Sequence, residues 1–199
     1  MGGMSRTKVL LLLAITAALA VGTGGAAQAR VHRTHITDRA VAAVMLDHVS
    51  SHTDRREGMW KTHRRKVNGT KGADFRYHAG AGDDGDLVET FVEPYHRIRC
   101  YRPYNHCAWI RHHRVLLSWQ KVMPEEDPGF VSVQTRHAGS VATVWYAGKD
   151  ITRDPRRMHL EFPVRQLVRL DRDTRLRLFT TAATVRAGER VQHWHRAPR

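Results

Sequence analysis

The chain has 199 residues, which suits one domain or two small ones, and 41% of them are hydrophobic, enough to build a core. The formal charge is +14, from 33 lysines and arginines against 19 acidic residues, and 14 histidines accompany them. This composition argues against an intrinsically disordered chain and is consistent with an anionic partner.

The N-terminal segment has the pattern of a secretory signal peptide. Arg6 and Lys8 precede an apolar run over residues 9–21, and an A-x-A signature follows with Ala27 and Ala29 as its small residues. The run is shorter than the roughly 20 apolar residues that a transmembrane helix needs. We therefore predict cleavage after Ala29 and a secreted, extracytoplasmic protein. The alternative is an uncleaved signal anchor.

Residues 30–58 are predicted to form a loose N-terminus followed by an amphipathic helix. Six side chains recur at the spacing of one helix face: Val41, Val44, Met45, His48, Val49 and His52. Thr37 or Asp38 can cap the start of this helix, and Gly58 can end it. The predicted helix covers residues 38–56.

The remainder, residues 59–199, is predicted to be β-rich. Short runs separated by turn residues continue to the end of the chain, including strands over residues 107–122, 166–171 and 175–196. The predicted fold is therefore mainly β with one N-terminal helix, an antiparallel β-sandwich or barrel. The "PEEDPG" loop, residues 124–129, is the one plausible boundary between two halves.

The two cysteines, Cys100 and Cys107, are predicted to form a disulfide, because a lone pair in an oxidising compartment is most simply bonded. Their spacing differs from the C-x-x-C of redox proteins, and a metal-binding pair is the alternative. The intervening Pro103 and Asn105 favour a turn. We therefore predict a disulfide-closed β-hairpin. Four of its residues are expected to contribute to the core: Trp109, Ile110, Val115 and Leu117.

Basic residues around these cysteines form the predicted polyanion-binding site. They are Arg99, Arg102, Arg111, His112, His113 and Arg114, with Arg64, Arg65 and Lys66 on the preceding turn. Tyr101 and Tyr104 would add stacking or apolar contacts. Anionic cell-wall polymers or lipids are the expected partners, because a secreted protein meets little nucleic acid. The alternative is a solvated basic surface without a dedicated ligand.

The histidines include one pair, His48 and His52, at the i, i+4 spacing that presents two imidazoles on one helix face. The chain has no H-E-x-x-H motif, and no acid lies at a ligand spacing from the pair. These two residues are therefore only weak metal-ligand candidates, and no metal site or cofactor is predicted. An acidic cluster over residues 83–86 lacks the full calcium-loop pattern.

No catalytic motif is present in the sequence. There is no G-x-S-x-G and no phosphate-binding glycine loop, and the bonded cysteines would leave no thiol nucleophile. The carboxylates that could be paired, Asp86, Glu89, Glu93 and Glu161, have a spacing that defines no geometry. No catalytic residue is therefore predicted.

The last 70 or so residues resemble the β-sandwich of the mycobacterial membrane protein small (MmpS) family and its actinobacterial relatives. Residues 142–146, "ATVWY", match a strand that follows a turn ending in glycine, and residues 160–163, "LEFP", match a later segment that precedes paired strands. Val164 stands where the family has tryptophan, and the family's cysteine near the end is absent. The resemblance implies a non-enzymatic envelope accessory domain that works beside a lipid-exporting membrane-protein partner.

Taken together, the sequence predicts a secreted or cell-envelope-associated, strongly basic, non-catalytic binding protein that contacts anionic envelope polymers or lipids. An extracellular, histidine-mediated metal-binding protein is the alternative, and a secreted enzyme of unknown class is a third reading. The sequence defines no oligomeric state.

Overall fold

Strands dominate the part of the chain that the computed structural model describes. The described residues are 33–49, 56–61, 69–77, 86–100, 106–123, 128–192 and 194–195. The predicted signal peptide, with Ala27 and Ala29, lies outside them. None of the helices within these ranges is long and apolar enough to cross a membrane.

The described strands and helices follow one another along the chain. The strands are β1 Arg33–His35, β2 Arg56–Lys61, β3 Lys71–Tyr77, β4 Asp86–Pro94, β5 His106–Ile110, β6 Val115–Gln120, β7 Phe130–His137, β8 Ser140–Ala147, β9 Phe179–Thr181 and β10 Trp194–His195. The helices are α1 Asp38–Val49, α2 Val164–Asp171 and α3 Ala182–Glu189.

Eight of these strands form one sheet in the order β10-β2-β3-β4-β8-β7-β6-β5, and β1 pairs with β9 in a second, two-stranded sheet. Every pairing is antiparallel except the short parallel one between β10 and β2. The large sheet thus contains two meanders, β2-β3-β4 and β5-β6-β7-β8, which meet where β4 pairs with β8. The predicted class, mainly antiparallel β with an N-terminal helix, is confirmed.

The core lies where the helices pack on the large sheet. Alternate residues of the central strands, such as Phe75, Val88 and Val144, are fully buried there. Helix α1 contributes its apolar face, with Val41 and Met45 among the buried residues, as the helical periodicity predicted. Helix α1 packs on β3 and α3, and α2 packs on β7 and β8.

The strand predicted over residues 166–171 is part of helix α2, and the segment predicted as strand over 175–196 contains helix α3 between β9 and β10, so the prediction was wrong for these two helices. In α2, the buried residues Val164, Leu167 and Val168 recur at i, i+3 and i+4, so the apolar side chains follow a helical period. Helix α3 begins after Thr181, whose hydroxyl accepts a hydrogen bond from the backbone N–H of Thr184. Helices therefore stand where the MmpS resemblance implies paired strands.

The predicted N-terminal helix was also too long. Helix α1 ends at Val49, and residue 56, predicted as its last residue, begins strand β2. Residues 50–55, including His52, lie outside the described residues. The helical face therefore ends with His48 and Val49 in the described structure.

Strands β5 and β6 form a hairpin that contains Cys107, and the predicted disulfide joins Cys107 to Cys100, with the two Cα atoms 5.9 Å apart. The single strand predicted over residues 107–122 is in fact β5, a turn and β6. The disulfide does not close the β5–β6 turn; it joins β5 to the segment that follows β4.

The hairpin contributes to the core, with one exception to the prediction. Val115 and Leu117 are fully buried, and Ile110 packs against the core. Trp109 is 44% exposed, so its predicted core position was wrong. Successive side chains of a strand point to opposite faces, and β5 is an edge strand, so Trp109 projects away from the face that carries Ile110.

Of residues 124–129, where a boundary between halves was predicted, 124–127 lie outside the described residues, and the strands on either side, β6 and β7, are neighbours in one sheet. Strands β6 and β7 pair from Val115 opposite Thr135 to Gln120 opposite Phe130. At the end of this loop Gly129 has a φ of +83°, and a Cβ there would lie 2.5 Å from the carbonyl oxygen of Gln120. Glycine is therefore required for the close approach of the two strands.

Candidate anion-binding site

A cleft of about 540 Å³ opens at the end of the sheet where the β5–β6 turn lies near the end of β7. We call it the basic cleft. Its described lining residues are Tyr95, Arg97, Ile98, Trp109, His113, Arg114, Thr135, Arg136, His137 and Arg172. They come from the segment after β4, the β5–β6 hairpin, the end of β7 and the residue that follows α2.

The charge of the cleft has one sign. Its described lining holds four arginines, two histidines and no acidic residue. None of the four arginines forms an ion pair with a residue in the described ranges. Arginine offers five N–H donors in a planar fork that fits carboxylate and phosphate oxygens. The cleft therefore has the donors needed to bind an anionic group.

Two exposed aromatic rings flank these arginines. Tyr95 is 50% exposed and Trp109 is 44% exposed. The guanidinium carbon of Arg136 lies 4.4 Å from the centroid of the Tyr95 ring, a cation–π contact that fixes the two side chains relative to each other. The backbone N–H of Tyr95 also donates to the carbonyl oxygen of Gly139 at 3.2 Å, which holds the segment after β4 beside the β7–β8 turn.

The β5–β6 turn has an unusual backbone. Arg111, His112 and His113 have φ values of 51°, 54° and 60°, all in the left-handed region. This region costs an L-residue roughly 1–2 kcal/mol, so three successive non-glycine residues there are uncommon. The backbone N–H of Arg114 donates to the carbonyl oxygen of Ile110 at 3.2 Å and closes the turn. The turn places His113 and Arg114 in the basic cleft.

His137 connects the basic cleft to helix α2. Its Nε2 lies 2.8 Å from the backbone carbonyl oxygen of Asp171, and because a carbonyl only accepts, Nε2 carries the proton. Burial lowers the pKa of His137, although the hydrogen bond to Asp171 opposes that shift. The neutral ring then leaves Nδ1 as a hydrogen-bond acceptor.

Asp171 is a buried acid beside the basic cleft. Its side chain is fully buried, and neither carboxyl oxygen has a hydrogen-bond partner of normal geometry among the described residues. Burial raises the pKa of Asp171 well above its usual range, against the opposing influences of the Thr135 hydroxyl and the Arg172 charge. The carboxyl is therefore driven towards its neutral form and offsets little of the charge in the cleft.

The residues predicted for polyanion binding are divided by the structure. His113 and Arg114 line the basic cleft, whereas Arg99, Arg111 and His112 are exposed but do not line it. The other predicted residues lie outside the described ranges: Arg64, Arg65, Lys66, Tyr101, Arg102 and Tyr104.

Three arginines of the cleft were missed by the sequence reasoning: Arg97, Arg136 and Arg172. Arg97 lies two residues before Arg99, which was predicted, so it borders the predicted basic stretch. Arg136 and Arg172 belong to no basic run, and their only local signal is that each lies at or just beyond the end of a strand or helix.

His48, one of the two weak metal-ligand candidates, takes part in an ionic contact. His48 Nε2 lies 2.9 Å from Asp173 Oδ2, and the same carboxylate oxygen accepts from Arg175 Nη2 at 2.7 Å. Arg175 Nη1 donates to Asp47 Oδ2 at 2.6 Å. We call Asp47, His48, Asp173 and Arg175 the ionic network. It ties the end of α1 to the loop after α2.

Electrostatics in the ionic network favour the charged forms of Asp173 and Arg175. Burial alone would raise the pKa of Asp173, but hydrogen bonds from His48 and Arg175 hold it well below its usual range. The hydrogen bond to Asp173 raises the pKa of Arg175 in turn. Within the described residues, no group of three or more histidines, cysteines or acids is arranged to hold a metal ion. His52 lies outside those residues.

The chemistry available at the basic cleft is the binding of negatively charged groups. Guanidinium groups form charge-assisted, often bidentate hydrogen bonds with carboxylates and phosphates, and the exposed rings add apolar contact area. No family model, curated protein or solved structure matches this chain.

Proposed function

We propose that the protein is a secreted or cell-envelope-associated, non-catalytic binding protein that contacts anionic envelope polymers or lipids through the basic cleft. The observation that carries this proposal is the described lining of the cleft, with four arginines, two histidines and no acid. The disulfide is compatible with an extracytoplasmic location, because such bonds persist in oxidising compartments.

The proposal includes an accessory role beside a membrane-protein partner. The support for this part is the MmpS resemblance over residues 142–146 and 160–163, of which the first lies in strand β8. The basic surface would serve such a role by retaining the protein at an anionic envelope layer. Electrostatic retention of this kind weakens as salt is added.

The experiment compares two double variants that remove the same charge. Arg114→Gln with Arg136→Gln removes two cleft arginines, whereas Arg186→Gln with Arg190→Gln removes two exposed arginines at the end of α3 and just beyond it. Each protein is bound to immobilised polyglycerol phosphate and to phosphatidylglycerol vesicles. Phosphatidylcholine vesicles serve as the neutral surface.

We expect the cleft variant to lose about tenfold in affinity for the anionic surfaces, because two charge-assisted contacts are removed. The matched control should change little. An equal loss in both variants would mean that the whole basic surface acts without a dedicated site, which is the alternative left open by the sequence.

The predicted location has a separate test. The protein is recovered from its culture without reducing agent, and its N-terminus and intact mass are determined. A chain that begins at Arg30 with the mass of the oxidised form supports secretion and the disulfide. A chain that keeps residues 1–29 and is found in membranes supports the signal-anchor alternative.

A further inference from the structure

A second cavity, of about 430 Å³, borders the other side of the β5–β6 turn. We call it the apolar groove. Six apolar residues contribute to its described lining: Ile110, Pro155, Met158, Pro163, Val164 and Val168. Three arginines complete that lining: Arg111, Arg156 and Arg165. It shares no described lining residue with the basic cleft.

Helix α2 supplies one wall of the apolar groove. Val164 and Val168 are four residues apart and therefore lie on one face of the helix, one turn above the other. Both are also members of the hydrophobic core, and Ile110 and Met158 pack against that core. The groove thus opens the apolar interior between β5 and α2 to the surface.

The arginines around the groove differ in their partners. Arg156 is held by its neighbour, since its Nε donates to Asp154 Oδ1 at 3.0 Å. Arg111 and Arg165 are exposed, and neither forms an ion pair with a residue in the described part of the chain. The groove therefore combines an apolar surface with two arginines that no described acid neutralises.

We propose that the apolar groove binds a fatty acid, with the acyl chain along the valines of α2 and the carboxylate paired with Arg111 and Arg165. The cavity volume is within the range of about 300–1,000 Å³ that is usual for small-molecule sites. Charge complementarity selects the occupant, because an apolar chain that ends in a carboxylate matches both the lining and the two arginines. This site is separate from the basic cleft, and its ligand is a small molecule.

The test uses the purified, oxidised protein and displacement of the fluorescent fatty acid dansylundecanoic acid. Palmitate and hexadecanol are compared as competitors, because they have the same chain length and differ in the head group. We expect one palmitate site and about tenfold weaker binding of hexadecanol, the loss that follows from two missing charge-assisted contacts.

The variants test the contacts to the carboxylate and to the acyl chain of the fatty acid separately. Arg111→Gln with Arg165→Gln should weaken palmitate about tenfold and leave hexadecanol unchanged, so the preference between them disappears. Arg169→Gln with Arg186→Gln, two exposed arginines outside both cavities, removes the same charge and should change neither ligand. Val168→Ala, a mild truncation of the groove wall, should weaken both ligands alike.

Several results would overturn the proposal. Among them are absence of a saturable palmitate site, equal affinities for palmitate and hexadecanol, and unchanged palmitate affinity in the Arg111→Gln, Arg165→Gln protein. Displacement of the probe by an acidic amphipathic peptide but not by palmitate would assign the groove to a protein partner instead. The Arg114→Gln, Arg136→Gln protein should keep its palmitate affinity. Polyanion retention without palmitate binding would remove this inference and leave the proposed function standing.

Discussion

The ionic network and the basic cleft use the same residue types in opposite ways. In the ionic network, Arg175 and His48 share the carboxylate of Asp173, and Arg175 also reaches Asp47. In the basic cleft, the arginines have no acidic partner among the described residues, and Asp171, the buried acid nearby, is driven towards its neutral form.

Arginine and histidine counts alone therefore do not locate a binding site. A basic side chain whose hydrogen bonds are satisfied inside the protein contributes to stability and has little left to offer a ligand. Basic side chains without internal partners repel one another, and a bound anion relieves this repulsion. The two regions should therefore respond in opposite ways to substitution.

The largest effect is expected from Asp173→Ala, which breaks the ionic network. This change leaves His48 without its partner and removes one of the two carboxylates on Arg175, so the free energy of unfolding should fall by about 2 kcal/mol. Urea denaturation at pH 7 measures the loss, and retention on polyglycerol phosphate should not change.

The pH dependence of that loss follows from the depressed pKa of Asp173. Stability from a carboxyl with a lowered pKa is present above its unfolded value of about 3.9 and is lost as the pH falls towards the folded value. The gap between wild type and Asp173→Ala should therefore narrow below about pH 4. A gap that stays constant in acid would show that the carboxylate charge is not what stabilises the network.

The next effect concerns the buried acid beside the basic cleft. Asp171→Asn removes a group whose pKa is raised by burial, so the variant should be about 1–2 kcal/mol more stable than wild type at pH 7. Because the pKa of Asp171 is higher in the folded protein than in the unfolded chain, wild type loses stability relative to the variant as the pH rises above the unfolded pKa. Below that pKa the carboxyl is neutral in both states and the loss is absent. The advantage of the variant should accordingly vanish near pH 4.

Unfolding curves of both proteins between those pH values check the trend. Asp171→Ala is the control, since it removes the charge but also leaves a cavity. If Asp171→Asn is less stable than wild type at pH 7 and this deficit disappears in acid, Asp171 is ionised and paired, and the basic cleft has a counter-charge.

A smaller gain is expected at the turn that carries two residues of the cleft. His112 has a φ of 54°, is exposed and lines neither cavity. His112→Gly should raise the free energy of unfolding by about 1 kcal/mol, because glycine adopts the left-handed region without a steric cost. His112→Ala keeps the steric cost and should give no gain, as differential scanning calorimetry of both variants can show.

The smallest effect on stability is expected in the basic cleft itself. Arg136→Gln breaks no described ion pair and removes only the exposed cation–π contact with Tyr95, so the free energy of unfolding should fall by about 0.5 kcal/mol. The same variant should bind polyglycerol phosphate more weakly. A large loss of stability in Arg136→Gln with unchanged binding of polyglycerol phosphate would contradict this contrast, because the cleft arginine would then stabilise the fold and not bind the anion.

Much of the fold could be predicted from the sequence, because local periodicity reports burial. Alternation predicted strands where β4 and β8 lie, the apolar face predicted α1, and the lone cysteines predicted the disulfide. The short helices α2 and α3 were missed, since eight residues with four apolar positions fit a strand nearly as well as a helix. Leu167 and Leu170, three residues apart, are both buried in α2. A longer helix would have repeated this spacing and made the helical period recognisable in the sequence.

The candidate site was predictable only where it is continuous in sequence. His113 and Arg114 stand in a basic run, and their identification needed no knowledge of topology. Arg97, Arg136 and Arg172 meet at the cleft because the β7–β8 turn lies beside the segment after β4, and His137, at the end of β7, bonds to Asp171 at the end of α2. No pattern within a short window contains that information.

The seam between β4 and β8 has a consequence for the order of folding. It pairs residues distant in sequence, from Leu87 opposite Ala147 to Pro94 opposite Ser140, whereas each meander is built from neighbouring strands. Pairings between distant residues form slowly, because a long loop must close before any contact is gained. Tyr95 and Arg136 lie on opposite sides of this seam. The chain should therefore acquire a complete basic cleft only when the two meanders dock, so anion binding would report that docking step.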